Sequence, residues 1–170
     1  MSDLYLGPCV TITPFHKDSL AAMLGSTLGS GAYPTLNLAY YYPFILYQPI
    51  VVVKLFCYNG SIASGNIDLG IYDKGGTRIQ SAGSTAQSGT SAIQSFDITD
   101  VLIGPGLFYL AVAMDNITGT LWRASIGQAG RLMGIFQQSS AFALPSTATF
   151  AATSGNLYLP MIGLTTRALV

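Results

Sequence analysis

Asn66-Ile-Asp-Leu-Gly-Ile-Tyr-Asp73 and Leu102-Ile-Gly-Pro-Gly-Leu-Phe-Tyr-Leu-Ala-Val112 decide how this chain folds. In the first, Ile67, Leu69 and Ile71 alternate with Asp68, Gly70 and Tyr72, the two-residue period of a strand with one face in a core and the other wet. Asp73-Lys-Gly-Gly76 predicts a tight hairpin, because glycine reaches positive φ without steric cost, and Thr77-Arg-Ile-Gln80 becomes the return strand. In the second, Gly104-Pro-Gly106 sets a turn. The apolar run from Leu107 to Met114 has the length of a central strand and is too short to cross a membrane. Neither stretch carries a catalytic pattern, so both read as scaffold.

Outward from there the same vocabulary repeats. Ile50-Val-Val-Val-Lys-Leu-Phe-Cys-Tyr58 is β-branched and aromatic throughout and closes on an Asn59-Gly60 turn. Leu38 to Tyr47 is aromatic and strand-prone, with Pro43 and Pro49 confining it to edges, bulges or strand ends. Phe96-Asp-Ile-Thr99, Gly119 to Ala124 and Leu157 to Leu164 add further short strands, while Asp115-Asn116 marks a turn. Ser81–Ser95 reads as an exposed loop or a solvent-facing edge strand, and Ser139–Ser154 as a long loop. The glycines between Ile126 and Gln138 disfavour a helix and leave that segment as strand or irregular. Roughly eight strands spaced by Gly, Pro, Asn and Asp turns predict an all-β antiparallel β-sandwich, jelly-roll-like. It occupies residues 35–170, behind an N-terminal arm and linker over 1–34. The arm has the extended pattern Tyr5, Val10, Ile12 and reads as a tie to a neighbouring subunit. Asp18 or Ser19 is placed to cap a brief helix that Gly25 ends.

The 170 residues fit one domain, half of them hydrophobic but only 8% charged, against about a quarter in an average soluble domain. All seven acids are aspartates and are balanced by seven lysines and arginines. This leaves no basic footprint for a nucleic acid. A neutral, charge-poor surface favours association, so much of it is expected in subunit contacts. From Ser19 to Val53 no residue is charged, yet three prolines and several glycines interrupt every run before it could insert in a membrane. Met-Ser-Asp-Leu-Tyr lacks the basic start of a signal peptide, which predicts synthesis in a cytoplasm and no use of the sequons at Asn59 and Asn116. Cys9 and Cys57 are too few for a disulfide framework.

Chemistry-bearing constellations are missing. The single histidine, His16, lies in the arm, and no nucleophile elbow, Walker loop or dinucleotide fingerprint occurs. The expectation is therefore a non-enzymatic protein without cofactor. Asp73, Asp97, Asp100 and Asp115 are the calcium candidates, but their spacing matches no calcium loop and they read first as turn-formers. Tyr40, Tyr41, Tyr42, Tyr72 and Trp122 are the candidate aromatics, suited both to packing at a core edge or subunit contact and to stacking on a sugar.

Tyr40-Tyr-Tyr-Pro-Phe44, Val51-Val-Val-Lys-Leu-Phe56, Gly70-Ile-Tyr-Asp-Lys-Gly-Gly-Thr-Arg78 and Leu102 to Ala111 together resemble the β-sandwich proteins of tailed-bacteriophage virions. That resemblance spans Leu38 to Asp115 and takes in tail-fibre, minor-tail and head-decoration modules. It implies a virion structural protein made in the host cytoplasm, a homotrimer that meets capsid or tail proteins. The alternative it leaves open is a receptor- or glycan-binding module for host-surface attachment. The chain departs from sugar-binding modules in lacking a spaced set of tryptophans.

Overall fold

The computed structural model describes residues 4–6, 28–125, 134–150 and 158–167. Among them run thirteen strands and no helix. They are β1 (Leu4–Leu6), β2 (Leu28–Ala32), β3 (Ala39–Leu46), β4 (Ile50–Tyr58), β5 (Asn66–Asp73), β6 (Arg78–Ser81), β7 (Thr85–Ala86), β8 (Ile93–Ile103), β9 (Gly106–Met114), β10 (Thr120–Ser125), β11 (Phe136–Gln138), β12 (Tyr158–Pro160) and β13 (Ile162–Arg167). The helix expected over Asp18–Gly25, together with Cys9 and His16, lies outside the described residues.

Two sheets make the sandwich. One has the order β1-β13-β4-β8, and the other runs β11-β3-β9-β5-β6 with β7 paired to β5. All pairings are antiparallel. The chain passes from one sheet to the other between β3 and β4, between β4 and β5, between β7 and β8, and between β8 and β9. With β7 and β11 set aside, eight strands interleave as two four-stranded layers, β1-β13-β4-β8 and β3-β9-β5-β6, which is a jelly-roll-like arrangement. A third sheet, β12-β10-β2, joins the first through the Asn59–Leu121 bridge and the Met161 amide on the Trp122 carbonyl. Two segments assigned to the arm and linker are therefore sheet members. Leu4–Leu6 pairs with β13 of its own chain, and Leu28–Ala32 pairs with β10.

Between the sheets lies the main core. β4 contributes Ile50, Val52, Leu55 and Cys57, and β5 contributes Ile67, Leu69 and Ile71. β9 adds Leu110, Val112 and Met114, and β3 adds Tyr40, Tyr42 and Phe44. The step from Val52 to Leu55 breaks the two-residue period because a register shift falls between Val52 and Lys54, and a bulge re-aims every later side chain. The turn after β5 is built as expected. Asp73 Oδ1 accepts the Gly75 and Thr77 amides at 2.8 and 2.9 Å, and Gly76 takes φ +88°.

One expectation fails. Asp68, Gly70 and Tyr72 were assigned a wet face, yet Asp68 and Tyr72 are 0% exposed. The segment 141–148 lies over this side of the sheet, and Ala39, Tyr41, Tyr72, Tyr109, Ala111 and Ala113 form a second apolar cluster with Ala141, Leu144 and Ala148. Polar bonds tie this cover down. Leu144 N–H donates to Asp68 Oδ2 at 3.0 Å, Tyr72 O–H to the Pro145 carbonyl at 2.6 Å, and Arg78 to the Leu144 carbonyl. The Arg78 and Ala148 amides bond the Ser146 and Gly76 carbonyls at 2.9 and 2.7 Å. The Ser/Ala-rich composition that reads as a free loop is what lets this segment lie flat on a crowded sheet. Above Gly70 the nearest neighbour of an added Cβ would be Leu144 Cδ1 at 3.0 Å.

The polar stretch after β6 is also more than an exposed loop. Gln87 is 7% exposed and donates to Asn59 Oδ1 at 2.9 Å and to the Thr120 carbonyl at 2.8 Å. Its own Oε1 accepts the Ser64 amide at 3.0 Å. Asn59, fully buried, donates to the Ser88 carbonyl and Gln94 Oε1 at 2.6 and 3.0 Å. Each buried amide is satisfied, so the network fastens the β4–β5 connection to β8 and β10 instead of penalising the fold. With its nitrogen buried in this network, Asn59 offers no acceptor for a glycan in the folded chain.

Asp68 gives the cover a pH signature. Burial raises its carboxyl above the usual value, opposed by bonds from Ser81 and Leu144 and by the Arg78 charge. A raised folded-state pKa means that the folded chain holds the proton more tightly. The contribution is then complete below the unfolded value of about 3.9 and is lost as pH rises through the folded one. Urea unfolding between pH 4 and 7 should show this downward slope in the parent chain and lack it in Asp68→Asn. Superimposable pH profiles would contradict the assignment.

Candidate functional site

The five candidate aromatics do not form one surface. Alternation along β3 sends Tyr40 and Tyr42 into the main core and Tyr41 to the opposite face, where it meets Tyr72 edge-on at 5.2 Å and 90°. All four tyrosines are between 0 and 2% exposed and offer no ring face to a sugar. Their hydroxyls are anchored: Tyr41 donates to Gln138 Oε1 at 3.0 Å and Tyr42 to the Tyr158 carbonyl at 2.8 Å. Burial pushes the phenols of Tyr40 and Tyr41 up to about 12 and that of Tyr42 well above its ordinary value. Trp122 stands apart, half-buried on β10 with its ring edge-on to Tyr58 at 5.9 Å.

Beside Trp122, on the opposite face of β10, sits the most distinctive charged group among the described residues. The Arg123 guanidinium lies face-on over the Tyr158 ring, 3.4 Å from its centroid. Gly31, Tyr33, Pro34, Tyr40, Tyr42, Leu121, Tyr158 and Pro160 surround it in a shallow notch where the third sheet meets β3. No lining residue is an acid. The described ion pairs lie elsewhere, Lys54–Asp97 at 3.1 Å and Arg167–Asp100 at 2.8 Å, on the outer face of the β4 sheet. Gly31 lets the guanidinium lie against the strand, since a Cβ on it would stand 2.1 Å from Arg123 Nε and push the side chain away. Burial draws the guanidinium's pKa down, and the surrounding tyrosines oppose that. The sequence shows the Trp-Arg pair, but neither Gly31 nor Tyr158 carries any local signal for this arrangement.

A second feature is apolar. At the end of the sandwich where 47–49 joins β3 to β4 and Gly104-Pro105 joins β8 to β9, Ile45, Tyr47, Leu102 and Leu107 are 45, 80, 63 and 37% exposed. Ile45 and Leu107 are cross-strand partners. No charged residue occurs in 43–53 or in 101–114. The opposite end also exposes Leu36, Ile62, Ile93 and Ile117, at 53, 47, 57 and 57%.

The aspartates considered for calcium are otherwise engaged. Asp73 caps its own turn, Asp97 and Asp100 are ion-paired, and Asp115 Oδ1 accepts the Asn66 amide at 2.8 Å and the Asn116 side chain at 2.9 Å. Among the described residues no three His, Cys, Asp or Glu side chains gather as a metal site would require. Cys57 is buried, its thiol donating to Asn59 Oδ1 at 3.4 Å and pushed up to about 12 by desolvation, which keeps it unreactive at neutral pH.

No protein-family model matches the chain, and no curated protein matches it. Tetranitromethane treatment of the folded chain, read by peptide mass mapping, should nitrate Tyr47 and spare Tyr41, Tyr42 and Tyr72. Modification of the latter three at the rate of Tyr47 would show that their rings are accessible after all.

Proposed function

We propose that the chain is a non-enzymatic structural protein of a bacteriophage virion, a head-decoration, fibre or tail-associated component assembling as a homotrimer. One observation carries the reading: an exposed, uncharged apolar end on a molecule of zero formal net charge. Large apolar side chains exposed at one end of a molecule mark interaction sites, and interface centres are depleted in charge. The jelly-roll order supports it as fold-level analogy, since that architecture recurs in capsid domains. So does the resemblance of the β3, β4, β5 and β9 motifs to virion sandwich proteins. Capsid or tail proteins of the same particle are the further partners of this reading. The attachment-module reading has lost its tyrosine platform to the two cores.

In this account copies meet through Ile45, Tyr47, Leu102 and Leu107, with the Arg167–Asp100 pair beside Leu102 at the rim of the contact and the Lys54–Asp97 pair in water. Size-exclusion chromatography with light scattering should give the mass of three chains at micromolar concentration. Tyr47→Asp combined with Leu102→Asp should reduce it to one chain with unchanged circular dichroism. A monomeric parent would contradict the reading, and an unaltered trimer in the double variant would move the interface elsewhere. Cryo-electron microscopy of the intact particle tests the virion assignment itself.

A further inference from the structure

A sheet edge that is flat, uncharged and open pairs with another strand unless something guards it. Among the described residues the other edges are guarded or short. β8 carries Asp97 and Asp100 and a register shift against β4. Beside β6 the Arg78 amide bonds the Ser146 carbonyl and the Ala148 amide the Gly76 carbonyl, so 146–148 caps that edge. β1, β11 and β12 have three residues each and β7 has two, and β12 ends on Pro160. β2, Leu28-Gly-Ser-Gly-Ala32, has none of these devices. We propose that the open edge of β2 pairs with β2 of a second copy, antiparallel and centred on Ser30.

The parity of the β2–β10 ladder fixes which backbone groups are available. Tyr33 N–H donates to the Gly119 carbonyl at 3.0 Å, so Gly31 and Gly29, in step with Tyr33, turn their groups toward β10. Leu28, Ser30 and Ala32 turn theirs to the open side. Trp122 has the matching phase: paired with Ser30, it sends its carbonyl away from β2, to the Met161 amide at 2.8 Å. No strand among the described residues lies on the open side of β2. Ser30 and Ala32 are exposed, and nothing stands within 4 Å of a Cβ added to Gly29.

The occupant follows from the edge itself. Its sequence reads almost alike in both directions about Ser30. A two-fold axis there sets serine against serine, Gly29 against Gly31, and Leu28 against Ala32, so the one long side chain meets a methyl. Each outward residue then exchanges its N–H and C=O with the residue opposite. No residue from Ser19 to Val53 is charged, so two copies meet without like-charge repulsion. Five residues bury little surface and glycine is poor strand material, so the pair is weak in free solution and gains from an assembly that presents several copies. The contact is separate from the apolar end around Tyr47 and leaves the mass expected at micromolar concentration unchanged.

Disulfide capture tests the pairing. All variants carry Cys9→Ser, and Cys57 is buried. Ser30→Cys, mildly oxidised at submillimolar chain concentration, should give a two-chain band on non-reducing gels, because opposed residues of a hydrogen-bonded pair lie about 5.5 Å apart at Cα. Ala32→Cys should not, since the axis places the two copies of that residue about 13 Å apart along the strands, too far for a disulfide. Thr85→Cys, exposed on β7, measures random collision. Ala32→Pro added to the Ser30→Cys chain removes an outward N–H, keeps the β2–β10 ladder, and should cut the yield severalfold. Capture should persist with Tyr47→Asp and Leu102→Asp, which keeps it readable whether or not the trimer forms. A Ser30→Cys yield no higher than that of Thr85→Cys, equal capture through Ala32→Cys, or a yield unmoved by Ala32→Pro would each overturn the proposal.

Discussion

Burial of one sheet on both faces is the constraint on which the rest of this structure depends. The middle stretches of β3, β5 and β9 lie between the main core and the 141–148 cover, so there neither parity of side chains reaches water. A sheet of this kind cannot carry ordinary charged residues without heavy desolvation cost. The sequence responds with alanine, glycine and tyrosine on the covered face, Tyr41 and Tyr72 each contributing area and a hydroxyl that finds a partner. Asp68 is the one carboxylate on this face. It remains because it receives the Leu144 amide and the Ser81 hydroxyl, which makes it the clasp of the cover.

Much of the sandwich was legible in the sequence, and the reasons are local. Ile67, Leu69 and Ile71 point inward as their period requires, the Asp73–Gly76 turn has the expected chemistry, and the Leu107–Met114 run is a central strand. What was not legible is non-local. Nothing in Asn66–Asp73 announces that a segment some seventy residues later will roof its polar side. Leu28–Ala32 has the composition of a linker and becomes a strand only because β10 supplies a partner backbone. Of the two uses open to the candidate aromatics, the four tyrosines take packing, and alternation divides Tyr40, Tyr41 and Tyr42 between two cores; a list of rings carries no record of which side is covered.

The molecule's few charges are correspondingly placed. Lys54, Asp97, Asp100 and Arg167 pair on the outer face of the β4 sheet, while the turn end around Tyr47 has none. Such exposed pairs add about a kcal/mol or less to stability. Their larger effect is to keep one face wet, leaving the uncharged end as the surface that gains most from being covered. The interior strands and the exposed apolar side chains around Tyr47 are thus separated along the length of the strands, with Leu36, Ile62, Ile93 and Ile117 exposed at the other end.

Hydrogen exchange followed by mass spectrometry, on the same chain at high and at low concentration, tests this separation most directly. The account predicts that 66–73 and 106–114 stay protected at both concentrations, while the turn segments 45–50 and 102–105 exchange faster on dilution. Exchange at those turns that is independent of concentration would contradict it, as would interior strands exchanging as fast as the turns.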